Sequence, residues 1–318
     1  MRRAVRVVVG AALTAAAIWF ADPAAVGRAA ARADPWWIAA AILLVLPDRA
    51  LMAHRWILLL RPARATASVP VGSVLRVFFV STFLGTFLPS VGGDAVRAFG
   101  LARHDVSLAD AAASVLMDRL LGIWSLLVLS TAALWIAGAA VSPAAAVTAC
   151  ALGATVVGVV GLASERAAAL GRRTLASVPV RAVRRALLRL FESTRAYRAW
   201  PRTVGAVAVE SLAVQVLRVV QAVCLGRALA IDAPVAAYFV VVPVALLVML
   251  LPVTVYGLGT SQVAFVWLFD PMGVPAAEAV ALSVLFVALG AVGNLPGGLL
   301  YAFAGGGRRE AVERSRPL

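Results

Sequence analysis

Eight predominantly apolar stretches, at 5–21, 36–60, 74–97, 107–137, 143–163, 203–229, 237–269 and 277–303, take up most of the chain. Several reach or exceed the roughly 20 residues that a helix needs to cross a hydrocarbon core. A soluble fold has too little interior to hide so much apolar surface. The overall balance agrees: 63% of the 318 residues are hydrophobic and 14% are charged, against about 45–50% and roughly 25% in soluble domains. The chain is therefore predicted to be an all-α polytopic membrane protein. Residues 1–304 form a single integral membrane domain, followed by a short basic tail, 305–318.

Charge decides how the stretches are threaded. The formal net charge is +14, and every basic residue is an arginine. In a soluble protein such a surplus would suggest nucleic acid. Here most arginines lie in connections beside apolar stretches, so the expected partner is anionic lipid and not nucleic acid. The connection 164–202 holds ten arginines, from Arg166 to Arg202, against Glu165 and Glu192 alone. Eight simple crossings from a cytoplasmic N-terminus would place this connection outside, against the rule that keeps arginine-rich loops in the cytoplasm.

Two stretches remove the conflict. Pro89, Gly92 and Gly93 interrupt 74–97, and Pro252, Gly257 and Gly259 interrupt 237–269. Proline removes a helical hydrogen bond and glycine weakens the helix. The backbone groups so freed are tolerated at membrane depth only where protein or a wet cavity receives them. Read as re-entrant helical hairpins, these stretches leave about six full spans and put the basic connection and both termini in the cytoplasm. Segments 36–137 and 203–303 then form an inverted repeat of span, hairpin and span, an arrangement characteristic of transporters. The bland alternative is two kinked ordinary spans in a scaffold.

Within the basic connection, Val183, Leu187, Leu190, Phe191 and Tyr197 recur at helical spacing, which predicts an amphipathic helix over 180–200 at the membrane surface. The first stretch, behind Arg2, Arg3 and Arg6, reads as a retained helix, with a signal peptide as the alternative. Cys150 and Cys224 sit in separate apolar stretches and are expected to be packing residues.

Enzyme signatures are thin. His54 and His104 lack metal-ligand spacing, and no nucleophile triad, phosphate loop or dinucleotide fingerprint occurs. The expectation is a protein that is not an enzyme and uses no cofactor or metal. Ionisable residues inside the apolar stretches carry more information, since each costs roughly 2.5–3.5 kcal/mol on insertion scales if it faces lipid unpaired. The candidate substrate-binding set is Pro89, Gly92, Gly93, Asp94 and Arg97 at the first break, then Asp118, Arg119, Glu210 and Arg218, then Gly257, Gly259 and Gln262 at the second break. Guanidinium matches phosphate in a two-pronged contact, and a broken helix presents free N–H groups to an anion. Asp94 is expected to orient Arg97. In the competing reading the acids and arginines only lock helices together, which is the preferred reading for Asp48 and Arg49.

The run Phe87-Leu88-Pro89-Ser90-Val91-Gly92-Gly93-Asp94-Ala95-Val96-Arg97, with Ser114-Val115-Leu116-Met117-Asp118-Arg119, resembles the lysylphosphatidylglycerol synthase transmembrane-region family of flippase-like prokaryotic membrane proteins. Leu251-Pro252 with Gly257-Leu258-Gly259, and Asn294-Leu295-Pro296-Gly297-Gly298, fit its second half. The resemblance covers nearly the whole chain. It implies binding or translocation of an anionic phospholipid or a polyprenyl-phosphate-linked lipid in the cytoplasmic membrane. The alternative is a non-transporting scaffold or regulatory partner of an envelope-synthesis enzyme. The family's second motif commonly ends in an acid where this chain has Gln262, which keeps the shape and loses the charge. Only a short arginine-rich tail follows Ala304, so lysine transfer is not expected.

Overall fold

The structure, a computed structural model, describes residues 24, 27–28, 31–62, 69–88, 92–104, 106–138, 143–250, 254 and 257–302. The first apolar stretch, Pro89, Pro252 and the tail lie outside the described residues. No strand occurs among the described residues.

Helices α1 (Pro35–Leu43) and α2 (Val45–Leu60) form one kinked rod, begun where the Asp34 carboxylate accepts from the Trp36 N–H. Then come α3 (Val71–Phe87), α4 (Gly92–Ala102) and α5 (Leu108–Ile136), the last capped by Ser107, whose hydroxyl accepts from the Asp110 N–H. Helix α6 (Pro143–Ala163) leads into α7 (Glu165–Ala176) and α8 (Arg181–Arg195). The second half follows as α9 (Pro201–Ala228), α10 (Val235–Met249), α11 (Thr260–Phe269) and α12 (Ala276–Val292), with helix resuming over 295–302 after a turn. Residues Pro35–Leu60, Leu108–Ile136, Pro201–Ala228 and Ala276–Ala302 are long and apolar enough to cross a membrane. Leu43, Leu46, Ile136 and Val157 are exposed on the outside of the bundle, which suits lipid and not water.

Both interrupted stretches fold as two short helices, as their prolines and glycines predict. The pairs are 17 and 11 residues in the first half and 15 and 10 in the second. Each helix falls short of the roughly 20 residues a crossing needs. Both pairs are antiparallel hairpins. Gly93 lies against Gly85 while Gly100, further along α4, lies against Val77, further back along α3. In the second half Tyr238, near the start of α10, meets Phe269, at the end of α11, with ring centroids 5.3 Å apart. The close approach in the first hairpin requires glycine: a Cβ on Gly93 would stand 2.9 Å from the Gly85 Cα.

The basic connection holds two helices where the sequence suggests one. Gly171 of α7 seats the Phe191 ring of α8. Across this pair Glu165 is bound by Arg198 and, at 2.8 Å, by Arg195. The hydrogen bonds from Arg198 and then Arg195 hold the Glu165 carboxyl down at about 2. Arg195 is itself buried. Arg166, Arg173, Arg181, Arg185, Arg189, Arg198 and Arg202 stay exposed, and Arg172 and Arg184 are half-buried. Leu190 and Tyr197 pack with Leu59, Met117 and Val207, and the Tyr197 hydroxyl donates to the Leu59 carbonyl. The basic unit is thereby clamped onto the ends of α2, α5 and α9.

Two larger cores flank this seam. Trp56, Phe78 and Leu101 pack the first half, and Leu225, Tyr238, Phe265, Phe269 and Leu282 pack the second. Among the described residues a space is left between them.

Candidate functional site

That space is a cavity of about 330 Å³ walled by α2, α5, α9 and α12 and by the tips of both hairpins. Its polar lining begins on α2, where Asp48, Met52 and Arg55 recur at spacings of four and three, one face of a helix. The same wall carries Arg49, whose guanidinium donates to the Gly290 carbonyl at 3.0 Å and lies 3.7 Å from Asp48. From α9, Arg218 reaches Asp48 at 3.3 Å and the Met52 sulfur at 3.2 Å.

Arg97, on α4, is the most enclosed cation of the first hairpin. Its three nitrogens donate to Ser81 Oγ, Asp118 Oδ2 and Thr82 Oγ1, each at 3.3 Å. Its guanidinium carbon lies 4.7 Å from the Phe78 ring centroid and 5.3 Å from that of Trp56. Aromatic faces attract a cation without neutralising it, so they fix the arginine and leave its charge available. Asp118 is shared, because Arg55 Nε approaches its other oxygen at 2.7 Å while an Arg55 terminal nitrogen donates to Ser211 at 2.9 Å.

The expected partnership of Asp94 with Arg97 is not formed. Asp94 takes a two-pronged contact from Arg119, at 2.7 and 3.1 Å, and Arg97 goes to Asp118. Spacing within α4 favoured the local pair, but the adjacent Asp118 and Arg119 of α5 both reach α4, and each takes a partner of opposite charge across the helix interface. Asp118 and Arg97 are buried, whereas the Arg119 and Asp94 side chains are 41% and 20% exposed, which makes the second pair the cavity's wetter edge.

Of the candidate residues, Gly93, Asp94, Arg97, Asp118, Arg119, Arg218 and Gly257 line the cavity. Gly92 packs on Leu88 and is not part of the lining. Glu210 also lies apart: its carboxylate meets His54 Nδ1 at 2.9 Å, one residue along both helices from the Arg55–Ser211 contact. Gln262 and Gly259 close a helix end. The Gln262 Oε1 accepts from the Gly259 N–H at 2.6 Å and from the Ser261 hydroxyl at 3.1 Å. Gly259, with φ of +86°, stands where an L side chain is strained. Pro89 lies outside the described residues. Asp48 and Arg49, read from sequence as structural, line the cavity as well.

Arg55 was not among the candidates, although it is buried at the centre of the charge cluster. The sequence carries a signal for it, the Asp48–Met52–Arg55 stripe. Its nearness to Arg61 lets it pass for an interfacial anchor instead. Thr82, Gln215, Gln221, Thr254 and Asn294 add neutral polar groups to the lining. Among the described residues no group of three or more His, Cys, Asp or Glu side chains is placed to hold a metal ion.

The arrangement is that of a partly open, arginine-rich cleft reached by two broken helices. It is suited to a negatively charged group. Residues 7–297 match the family described as the lysylphosphatidylglycerol synthase TM region, and the chain belongs to that family. No curated protein and no solved structure gives a significant match.

Proposed function

We propose that this member of the lysylphosphatidylglycerol synthase TM-region family binds the anionic headgroup of a lipid in the cavity between its two hairpins and carries it across the cytoplasmic membrane. The observation that carries the reading is the convergence of Arg97, Arg119 and Arg218, from three different helices, on one cavity. Side chains this costly to bury are kept where a ligand uses them. On this reading the protein is a translocator with no catalytic step, and anionic phospholipid or polyprenyl-phosphate lipid is its substrate. Both hairpins are re-entrant and of opposite orientation. The element order of span, hairpin and span in each half supports that repeat.

Surface chemistry supports the orientation. Exposed Trp36, Trp135 and Trp267 belong to the end where Asp34 and Ala228 meet, and exposed Trp200 and Tyr301 to the other; such rings sit at headgroup level. The exposed arginines of α7 and α8 gather at the second end, which we place in the cytoplasm with both termini. Single cysteines introduced in 164–202, in a chain lacking Cys150 and Cys224, resist impermeant thiol reagents in intact cells if this is right. Labelling from outside overturns the orientation.

A second reading has its own support. Every aspartate lining the cavity is met by an arginine, as in a scaffold whose charges lock helices for an envelope-synthesis enzyme to dock on. Mass spectrometry of the gently extracted protein separates the two. A retained anionic lipid lost in Arg97→Gln supports translocation, and an equal lipid complement in both proteins supports the scaffold.

A further inference from the structure

The ion pairs of the cavity are of two kinds. Arg119 Nε donates to Asp94 at 2.7 Å with a second contact at 3.1 Å, and Arg55 Nε stands 2.7 Å from Asp118. Such lengths belong to closed, charge-assisted contacts. Arg97 and Arg218 are held more loosely. All three Arg97 hydrogen bonds are 3.3 Å long, and two of them go to the neutral hydroxyls of Ser81 and Thr82. Arg218 meets Asp48 at 3.3 Å, and its other acceptor among the described residues is the Met52 sulfur, a weak one. A guanidinium has five N–H donors. Arg97 and Arg218 can therefore exchange poor partners for phosphate oxygens while Arg55 and Arg119 keep the helices in place.

The two loosely held arginines lie at different depths. Arg55 of α2 contacts Ser211 of α9, and Asp48 of α2 contacts Arg218 of α9. Between these contacts each helix covers seven residues, in opposite chain directions, as antiparallel neighbours do. Seven residues are about 10 Å of helix, roughly a third of a hydrocarbon core about 30 Å thick. Arg97 belongs to the first level, through the Asp118 that it shares with Arg55. That level lies towards the basic unit, where Tyr197 meets Leu59. The Arg218 level lies towards the other end, where the Asp34 N–H donates to the Ala228 carbonyl. Both levels open on the same cavity, with Met52 between them on the α2 wall.

Resting on the reading that the cavity takes an anionic lipid headgroup, we propose that Arg97 and Arg218 are two successive stations for its phosphate, Arg97 on the side of the basic unit and Arg218 about 10 Å further along. At the first station phosphate oxygens take the place of the Ser81 and Thr82 hydroxyls, and at the second that of the Met52 sulfur. Asp118 and Asp48 partner each arginine while the phosphate is at the other station. A phosphate that left a single station would cross the remaining depth unpaired, at high cost in a medium of low polarity. Two shorter steps keep a guanidinium within reach of the charge.

The test uses the purified full chain with phosphatidylglycerol and, separately, polyprenyl phosphate. Retained lipid is read by native mass spectrometry and translocation in proteoliposomes. Headgroup position is read by peptide mapping after photolabelling with phosphatidylglycerol that carries a diazirine on its headgroup. The parent is expected to be labelled on α3 and α4 and also on α9. Arg218→Gln is expected to retain lipid within severalfold of the parent and to lose translocation at least roughly tenfold, the worth of about one charge-assisted hydrogen bond. Its photolabel is expected on α3 and α4, with little on α9. A role for Arg218 as a helix lock alone would leave the labelling as in the parent. Where Arg218→Gln fails to fold, Arg218→Lys, which lacks the two-pronged contact, is expected to show the same pattern in weaker form. Translocation at the parent rate in Arg218→Gln, undiminished labelling of α9, or a loss of lipid as complete as in Arg97→Gln overturns the two stations and leaves the anionic-lipid reading standing. A parent protein that retains neither lipid overturns that reading as well.

Discussion

The two hairpins share a plan and differ in what they bring to the cavity. In the first, Gly93 packs on Gly85 and places Asp94 and Arg97 on α4 beside α5. In the second, the turn before α11 uses two glycines of positive φ, and its cavity-facing groups are Leu246, Met249, Leu250, Thr254 and Gly257, with no charge among them. Gln262, three residues beyond Gly259, is buried and caps its own helix. The same backbone device thus delivers a cation on one side and a neutral wall on the other. A helix break in a membrane chain marks where backbone can approach a cavity; the side chains just beyond it determine whether that approach binds a charge.

The largest effect that separates the halves is expected at Asp118. Asp118→Asn leaves Arg55 and Arg97 buried with no carboxylate between them, and removing one partner from a buried ion pair costs about 3–5 kcal/mol. A clear drop in the melting temperature of the detergent-solubilised protein is expected. A melting temperature equal to the parent's would mean that the first half does not depend on its charges.

Gln262→Ala, the matching change in the second half, is expected to cost about 0.5–2 kcal/mol, the value of a helix cap, and to leave lipid selectivity unaltered. A changed selectivity would show that the two hairpins share the binding work. A smaller effect, about 0–1 kcal/mol because both groups are partly solvated, is expected for Asp94→Asn, which releases Arg119 only.

Much of this was legible in the chain. Proline and glycine marked both breaks, because what ends a helix is local chemistry. Arg97, Asp118, Arg119 and Arg218 were legible because a charge inside an apolar stretch needs a reason. Which acid meets which arginine was not, since pairing depends on the relative rotation of separate helices: Asp94 faced Arg97 in sequence spacing and Arg119 in space. Glu210 looked like a site residue for the same reason as Arg218, yet the two are eight residues apart on α9 and face different neighbours. Arg55 was hidden by its position near a basic helix end.

The smallest expected effect lies outside the cavity, in the basic unit of α7 and α8. The Glu165 carboxyl is held down at about 2 by Arg198 and Arg195, below an ordinary glutamate near 4.3. A depressed carboxylate stabilises the fold above its unfolded value, and that contribution is lost as pH falls through the folded one. Protease cleavage between α7 and α8 should therefore change little from pH 7 to 5 and rise towards pH 2. In Glu165→Gln cleavage should already be raised at pH 7. Identical cleavage of parent and variant at pH 7 would show that the contact does not hold the unit in place.

The most direct test of the account concerns Arg97 in liposomes. Lipid translocation and melting temperature would be measured side by side for the parent protein, Arg97→Gln and Arg97→Lys. Asp118 keeps Arg55 as a partner when Arg97 is lost, so the account predicts that Arg97→Gln stays folded and loses translocation. Arg97→Lys should retain a fraction, as a point charge lacks the two-pronged contact. A folded Arg97→Gln protein that moves lipid at the parent rate would contradict the account and leave the cavity's arginines as helix locks.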